Sequence, residues 1–222
     1  MRDFPIFTTD YGVSSLILRE IPYRKEAYIR LLDVQPGGLS DHLAECISFC
    51  RMAGAEQVFA AGAGLDAYPR AAAIVEMRGP AAPNTEEVAC LFPVTEQTVS
   101  SWRELHNKAM AGVDNAGTLE KRDEPRILGS TGAYFIHDDG KLLGIGWLED
   151  GKLLAVAAAA PGQGTRLMHT LMSTCEGSDI VLEVASTNGK AIHLYEKLGF
   201  IRTRLITQWF SVFCGGEGPL SN

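Results

Sequence analysis

The sequence is poor in the features that direct a protein to membranes, nucleic acids or an oxidising compartment. No stretch of its 222 residues approaches the roughly 18–20 uninterrupted apolar residues that span a bilayer. The opening Met1-Arg2-Asp3-Phe4-Pro5 lacks the apolar run of a secretory leader, so a cytoplasmic protein with no membrane partner is expected. Lysines and arginines are scattered and the net charge is −7, which speaks against nucleic acid as a partner. Five cysteines, Cys46, Cys50, Cys90, Cys175 and Cys214, are too few and too dispersed for a disulfide framework. Cys46 and Cys50 stand four apart on an expected helix, a spacing that suits two metal ligands, yet no third or fourth ligand stands nearby. No metal is expected there, and two small buried thiols are. The Gly-Lys-Ser/Thr ending of a nucleotide P-loop is missing, as are the three spaced glycines of a dinucleotide-binding turn.

What the chain does hold is the material of a packed protein: 46% hydrophobic and 21% charged residues, enough for one large domain or two small ones. Gly79-Pro80-Ala81-Ala82-Pro83-Asn84 is the clearest seam, which predicts one domain over 1–83 and another over 84–222. Before it, Val13–Ile21 and Glu26–Val34 read as a strand hairpin turned by Pro22-Tyr23-Arg24-Lys25. Pro36-Gly37-Gly38 leads to a helix capped by Ser40, with Leu43, Ile47 and Cys50 on its apolar face and Gly54 at its end. Gln57–Ala61 and Ala71–Met77 read as two further strands.

After the seam, strands are expected at Val88–Pro93, Gly132–His137, Leu142–Leu148, Lys152–Ala157, Ile180–Ala185 and Ile201–Val212. Helices are expected at Glu96–Ala111, from Gly164 to about Cys175, and over Gly189–Leu198, with a polar, partly helical stretch at Asp114–Ile127. Asp138-Asp139-Gly140 and Asp150-Gly151 are strong turn signals. Strands broken by helices after a meander make a mixed α/β sheet. The halves share a pattern, because Pro36-Gly37-Gly38 and Pro161-Gly162-Gln163-Gly164 each follow a strand and open a helix leading to a strand. Cys50 and Cys175 even fall at the same offset from the two prolines. A degenerate duplication and the chance recurrence of a common unit both account for this.

Two segments carry chemistry. Gly162-Gln163-Gly164-Thr165-Arg166 joins an apolar strand to a helix whose Leu167, Met168, Leu171 and Met172 share one face. Unpaired backbone N–H groups and the helix dipole at such a junction suit a phosphate or pyrophosphate, although a turn without a ligand looks the same in sequence. Arg166 in the first turn is badly placed for its own helix dipole, which an anion contact would explain and simple exposure would too.

The second segment is Asn188-Gly189-Lys190-Ala191-Ile192-His193-Leu194-Tyr195-Glu196-Lys197-Leu198-Gly199-Phe200. It resembles the signature of the GNAT N-acetyltransferase superfamily, and Leu194 to Phe200 match that pattern position for position. The resemblance covers about 125 residues, from Val88 to Val212, and leaves roughly the first 85 aside. It implies the family's α/β (α+β) fold, a mixed and mostly antiparallel central sheet flanked by helices, to which the pattern shared by the two halves adds the expectation of a GNAT-like N-terminal half. It implies acetyl-CoA as co-substrate and a small-molecule or peptide amine as acceptor. Leu154, Ala155 and Val156 would pair with the pantetheine arm as an added strand does. Backbone groups of Gly162, Gln163, Gly164, Thr165 and Arg166 would hold the pyrophosphate, and Asn188 would contact the cofactor. Tyr195 would protonate the departing thiolate, a packed aromatic being the alternative.

Glu183 is the best base for the acceptor ammonium: Val181, Glu183 and Ala185 alternate to one face of their strand, where a buried carboxylate is costly unless used. The alternative is a glutamate facing solvent or pairing with a lysine. Ala159 stands where the family's loop usually opens with Arg or Gln, so one polar loop contact is missing. His106 is the one histidine placed to line an acceptor site, though a lone helix histidine more often lies on the surface. The reading is therefore an N-acetyltransferase acting by direct attack. Its rivals are a non-catalytic acyl-CoA-binding sensor and a GNAT-like scaffold, and a homodimer is open.

Overall fold

In the computed structural model, residues 5–81, 88–175, 177 and 179–215 are described, so Ala82, Pro83 and Asn84 of the expected seam lie outside them. The chain forms two units: Met1–Ala73 with Thr207–Asn222, and Ile74–Ile206. They part within two long strands rather than at the breaker cluster.

Unit 1 holds β1 (Ile6–Thr9), β2 (Gly12–Ile17), α1 (Ile21–Arg24), β3 (Glu26–Val34), α2 (Leu39–Met52) and β4 (Gln57–Ala61). It also takes the last part of β11, the closing strand at Ile201–Cys214, whose Phe210 to Cys214 pair antiparallel with β4. The expected hairpin of β2 with β3 forms, but its link coils into a short helix. Pro22 is accepted there because a helix's first N–H groups need no partner, and Lys25 closes the turn at φ 59°. Ser40 is not the cap of α2; Gly38 is, one step after a left-handed Gly37 that turns the chain directly into the helix. The parallel pair β3–β4 is bridged by α2, which buries Leu43, Cys46 and Cys50 against Ile29, Val58 and Phe210. Burial pushes the Cys46 thiol up to about 11 and Cys50 to about 12, so both stay protonated. His42 is fully buried too, its Nδ1 and Nε2 each 2.7 Å from the hydroxyls of Thr9 and Ser14.

Unit 2 takes Ile74–Pro80 of β5 (Arg70–Pro80), then β6 (Cys90–Pro93), α3 (Val99–Met110) and α4 (Glu124–Leu128). There follow β7 (Ala133–Asp138), β8 (Lys141–Glu149), β9 (Lys152–Ala158), α5 (Gly164–Met172), β10 (Asp179–Ala185) and α6 (Gly189–Lys197). The strands line up as β5-β10-β9-β8-β7-β6, antiparallel except for β9 with β10. Asp139 and Gly140, at φ 45° and 72°, make the β7–β8 turn that their sequence announces. One face of the sheet packs with α5 and α6 through Leu153, Leu182, Leu167, Met168, Leu171 and Ile192. The other packs with α3 and α4 through Trp102, Ile127, Ile145 and Trp147. Gly146 in β8 lets α5 lie close on the sheet, since a Cβ there would stand 2.5 Å from Leu171. Among the described residues no helix is long and apolar enough to cross a membrane.

Candidate active site

The site begins with an irregularity in β9. Its pairing with β8 runs from Gly144↔Ala158 to Trp147↔Ala155, then shifts so that Leu148 faces Leu153 and Leu154 has no opposite number. Such a bulge bends and twists its strand. Here it coincides with a parting of strands: β9 pairs with β10 at Val181↔Lys152 and Leu182↔Leu153, and no further pair follows among the described residues. β9 continues to Ala158 and β10 to Ala185, so Leu154, Ala155 and Val156 run along an open edge between them.

The N-terminus of α5 follows the end of β9. Gly162 adopts φ 87°, a left-handed conformation natural to glycine, and open space surrounds it. Gln163 is the N-cap yet makes no side-chain cap, which leaves the first-turn N–H groups of Gly164, Thr165 and Arg166 for another acceptor. Its Oε1 is buried and finds no hydrogen-bond partner among the described residues. The Arg166 guanidinium is held elsewhere, in a two-pronged pair with Asp138 that includes a 2.8 Å bond to Oδ1. That pair accounts for an arginine in a first helical turn. The Asn188 Oδ1 accepts the Ala191 N–H at 3.2 Å, capping α6, so the asparagine secures the helix whose N-terminus it marks. The two helices meet where Gly164 abuts Leu194.

The acetyltransferase (GNAT) family model matches residues 84–200, more than half of the chain. The chain belongs to the GNAT family. Among solved structures, a GCN5-related N-acetyltransferase from Sphaerobacter thermophilus is similar at 15% identity and TM-score 0.54, over 93% of this chain and 78% of that one. GCN5-related N-acetyltransferases from Anabaena variabilis and Kribbella flavida give TM-scores of 0.61 and 0.60 at 9% and 12% identity. The likeness takes in 90% and 92% of this chain, which spans 59% and 58% of those two. At such identities the likeness concerns the fold. No curated protein matches the chain in sequence.

Within the GNAT match, the signature run folds back on the sheet. Gly199, at φ 86°, ends α6 and lets Phe200 turn inward, where its ring lies over Gly79 and 5.8 Å from the ring of Tyr195. Tyr195 is buried in the same core as Leu182, and that burial pushes its phenol up to about 12. Glu183 follows Leu182 on β10 and so points to the opposite face, at the level where β9 and β10 part. It is not the costly buried carboxylate that alternation suggested. It is exposed, and Lys152 donates to it at 2.9 Å. A pair this open contributes about 0–1 kcal/mol, so an incoming ammonium can compete for the carboxylate. Glu183 thus stands at the level where the strands part, and Tyr195 lies in the core on the opposite face of the sheet.

His106, open in the sequence between an acceptor site and the surface, is buried. His106 stacks on Trp102 with centroids 5.9 Å apart, and Trp102 meets Trp147 edge-on. Asn107 takes the Leu119 N–H on Oδ1 and donates Nδ2–H to the Leu119 carbonyl, which fixes its amide orientation. Oδ1 must then accept from the Nδ1 of His106 at 3.3 Å, which leaves the lone pair on Nε2. Burial lowers the pKa of this imidazole, so it is neutral at pH 7. The apolar spacing of Val99, Trp102 and His106 on α3 is the sequence signal that could have placed it.

Proposed function

We propose that the chain is an acetyl-CoA-dependent N-acetyltransferase that acts on a primary amine by direct attack. The observation that carries this reading is the parting of β9 from β10 beside Glu183, next to the uncapped start of α5. The residues present fit acetyl-CoA: an open strand edge at Leu154–Val156 and an uncapped helix start at Gly162–Arg166 both want hydrogen-bonding partners. Acetyl-CoA supplies an acetyl group activated as a thioester. Glu183 takes one proton from the acceptor ammonium, freeing the lone pair that forms the C–N bond. Backbone N–H groups of β9 steady the charge on the carbonyl oxygen as the C–S bond breaks. The amine nitrogen loses its second proton as the amide forms, and the sulfur gains one.

The displaced position of Tyr195 on the pKa scale defines its part. A phenol near 12 is a weaker acid than a thiol near 8.5, so handing its proton to a free thiolate is uphill by several kcal/mol. Tyr195 therefore serves best as a hydrogen-bond donor to the departing sulfur: the phenol keeps its own proton while the thiolate takes one from solvent. Calorimetric titration with acetyl-CoA and with CoA is the first test, and no binding of either at millimolar concentration refutes the proposal. With thiol release from acetyl-CoA as the assay, Tyr195→Phe should keep acetyl-CoA affinity and lose about 10²–10³-fold in turnover, the cost of one hydrogen-bond donor to developing charge. Undiminished turnover would remove Tyr195 from the mechanism. One observation favours a second reading, a non-catalytic acyl-CoA-binding module: Glu183 and Arg166 are already paired, with Lys152 and Asp138. That reading requires binding without transfer to any amine.

A further inference from the structure

We infer that the chain carries two copies of one acyltransferase core, and that the copy in unit 1 has lost its acyl-CoA slot. Each chain then binds a single acyl-CoA, in unit 2; the inference rests on the reading of unit 2 given above. Three local features recur in the same order. The pairing of β2 with β3 jumps from Val13↔Asp33 to Ser14↔Leu31, which leaves Leu32 as a bulge in the place that Leu154 holds in β9. Gly37 at φ 80° precedes the N-cap Gly38 at φ −89°, ψ 0°, as Gly162 at φ 87° precedes Gln163 at φ −88°, ψ −7°. The helix then leads to a parallel partner strand in both. Matching Leu32 to Leu154 sets Arg30 on Lys152, and their pairing partners Ala61 on Val181. A strand–turn–helix–strand unit by itself requires neither the bulge nor these dihedral angles.

The copies differ where the slot should be. Gly164, the first residue of α5, corresponds to Leu39 of α2, whose side chain reaches the segment after β4: a Cβ on Gly64 would stand 3.0 Å from its Cδ2. Gly62, in the place of Leu182, lies under Leu31 so closely that a Cβ would come within 2.6 Å of it. Leu65 is 1% exposed, sunk in the core with Leu16, Ile29 and Leu43. The space that stays open beside β9 is thus filled beside β3. The open edge is shorter as well, since β3 runs two residues past its bulge where β9 runs four. Ala63 stands in the place of Glu183, and the chain from Gly62 to Pro69 enters β5 without a helix, so Tyr195 has no counterpart.

Two glycines give a matched test. Gly37 and Gly162 have similar left-handed dihedrals and open space around them, so Gly37→Val and Gly162→Val impose comparable backbone strain. The full chain is titrated calorimetrically with acetyl-CoA, and circular dichroism checks that each variant is folded. The expected result is one acetyl-CoA per chain, weakened at least about ten-fold by Gly162→Val and unchanged by Gly37→Val. Should Gly162→Val not fold, Gly162→Ala is the milder substitute, and the wild-type stoichiometry stands on its own. Two acetyl-CoA per chain, or an equal loss with Gly37→Val, would overturn the inference and leave the reading of unit 2 intact. No binding by the wild type would overturn that reading, and the inference with it.

Discussion

Adding a single methyl group at Gly79 tests how the signature run is anchored. Phe200 is 2% exposed and packs with Met77, Ile180 and Tyr195 in one core, so its ring has no free rotamer to escape into. A Cβ at Gly79 would overlap the near edge of that ring. Gly79→Ala should therefore overpack the site and cost about 1–3 kcal/mol. Phe200→Ala, which empties the site, should cost about 3–5 kcal/mol. In the Phe200→Ala background the added methyl has room, and Gly79→Ala should cost nothing or regain a few tenths of a kcal/mol. The coupling between the two positions is then about 1–3 kcal/mol. Thermal unfolding of the four proteins reads this directly, at roughly 2–4 °C per kcal/mol for a chain of this size. If the two single costs add to within about 0.5 kcal/mol, the ring does not occupy that volume and the account of Phe200 is wrong.

Removing residues 1–83 deletes Ile74–Pro80, which pair with β10 from end to end and supply the fully buried Met77; the 84–222 fragment should lack a cooperative melt. A sharp transition in the fragment would contradict this. His42 and His106 both have pKa values lowered by burial, so the unfolded chain binds more protons as pH falls below about 6.5. Stability should then drop on acidification, by up to about 1.4 kcal/mol per pH unit for each histidine, and His106→Gln should flatten the slope of urea midpoints between pH 7 and 5. Asp138→Asn should release Arg166 toward a bound pyrophosphate and tighten acetyl-CoA binding several-fold, with a steeper salt dependence. Equal affinity in the two proteins would show that Arg166 does not reach the cofactor.

Much of the scaffold was legible because its signals are local. The Asp-Gly turns fixed the strands from Ala133 to Ala158 to within a residue or two. Leu194 to Phe200 announced the family without help from distant residues. Other features were not legible. β1 is four residues on an edge with no strong alternation, and Pro22-Tyr23-Arg24-Lys25 holds a helical turn as readily as a hairpin. The bulge at Leu154 leaves no mark in an apolar run, because Leu153 and Leu154 look alike until a neighbouring strand sorts them to opposite faces.

By itself the sequence determined the order of the elements after the seam, the Asp-Gly turns between them and where α5 and α6 begin, since each depends on contacts within a few positions. Only the tertiary structure decided which edge lies open and which charges are spent. Lys152 meets Glu183 across 31 positions, Arg166 meets Asp138 across 28, and β5 finds β10 about a hundred residues further on. Such partners are chosen by strand register and by which faces bury together. Those are properties of the assembled sheet, and no window along the chain contains them.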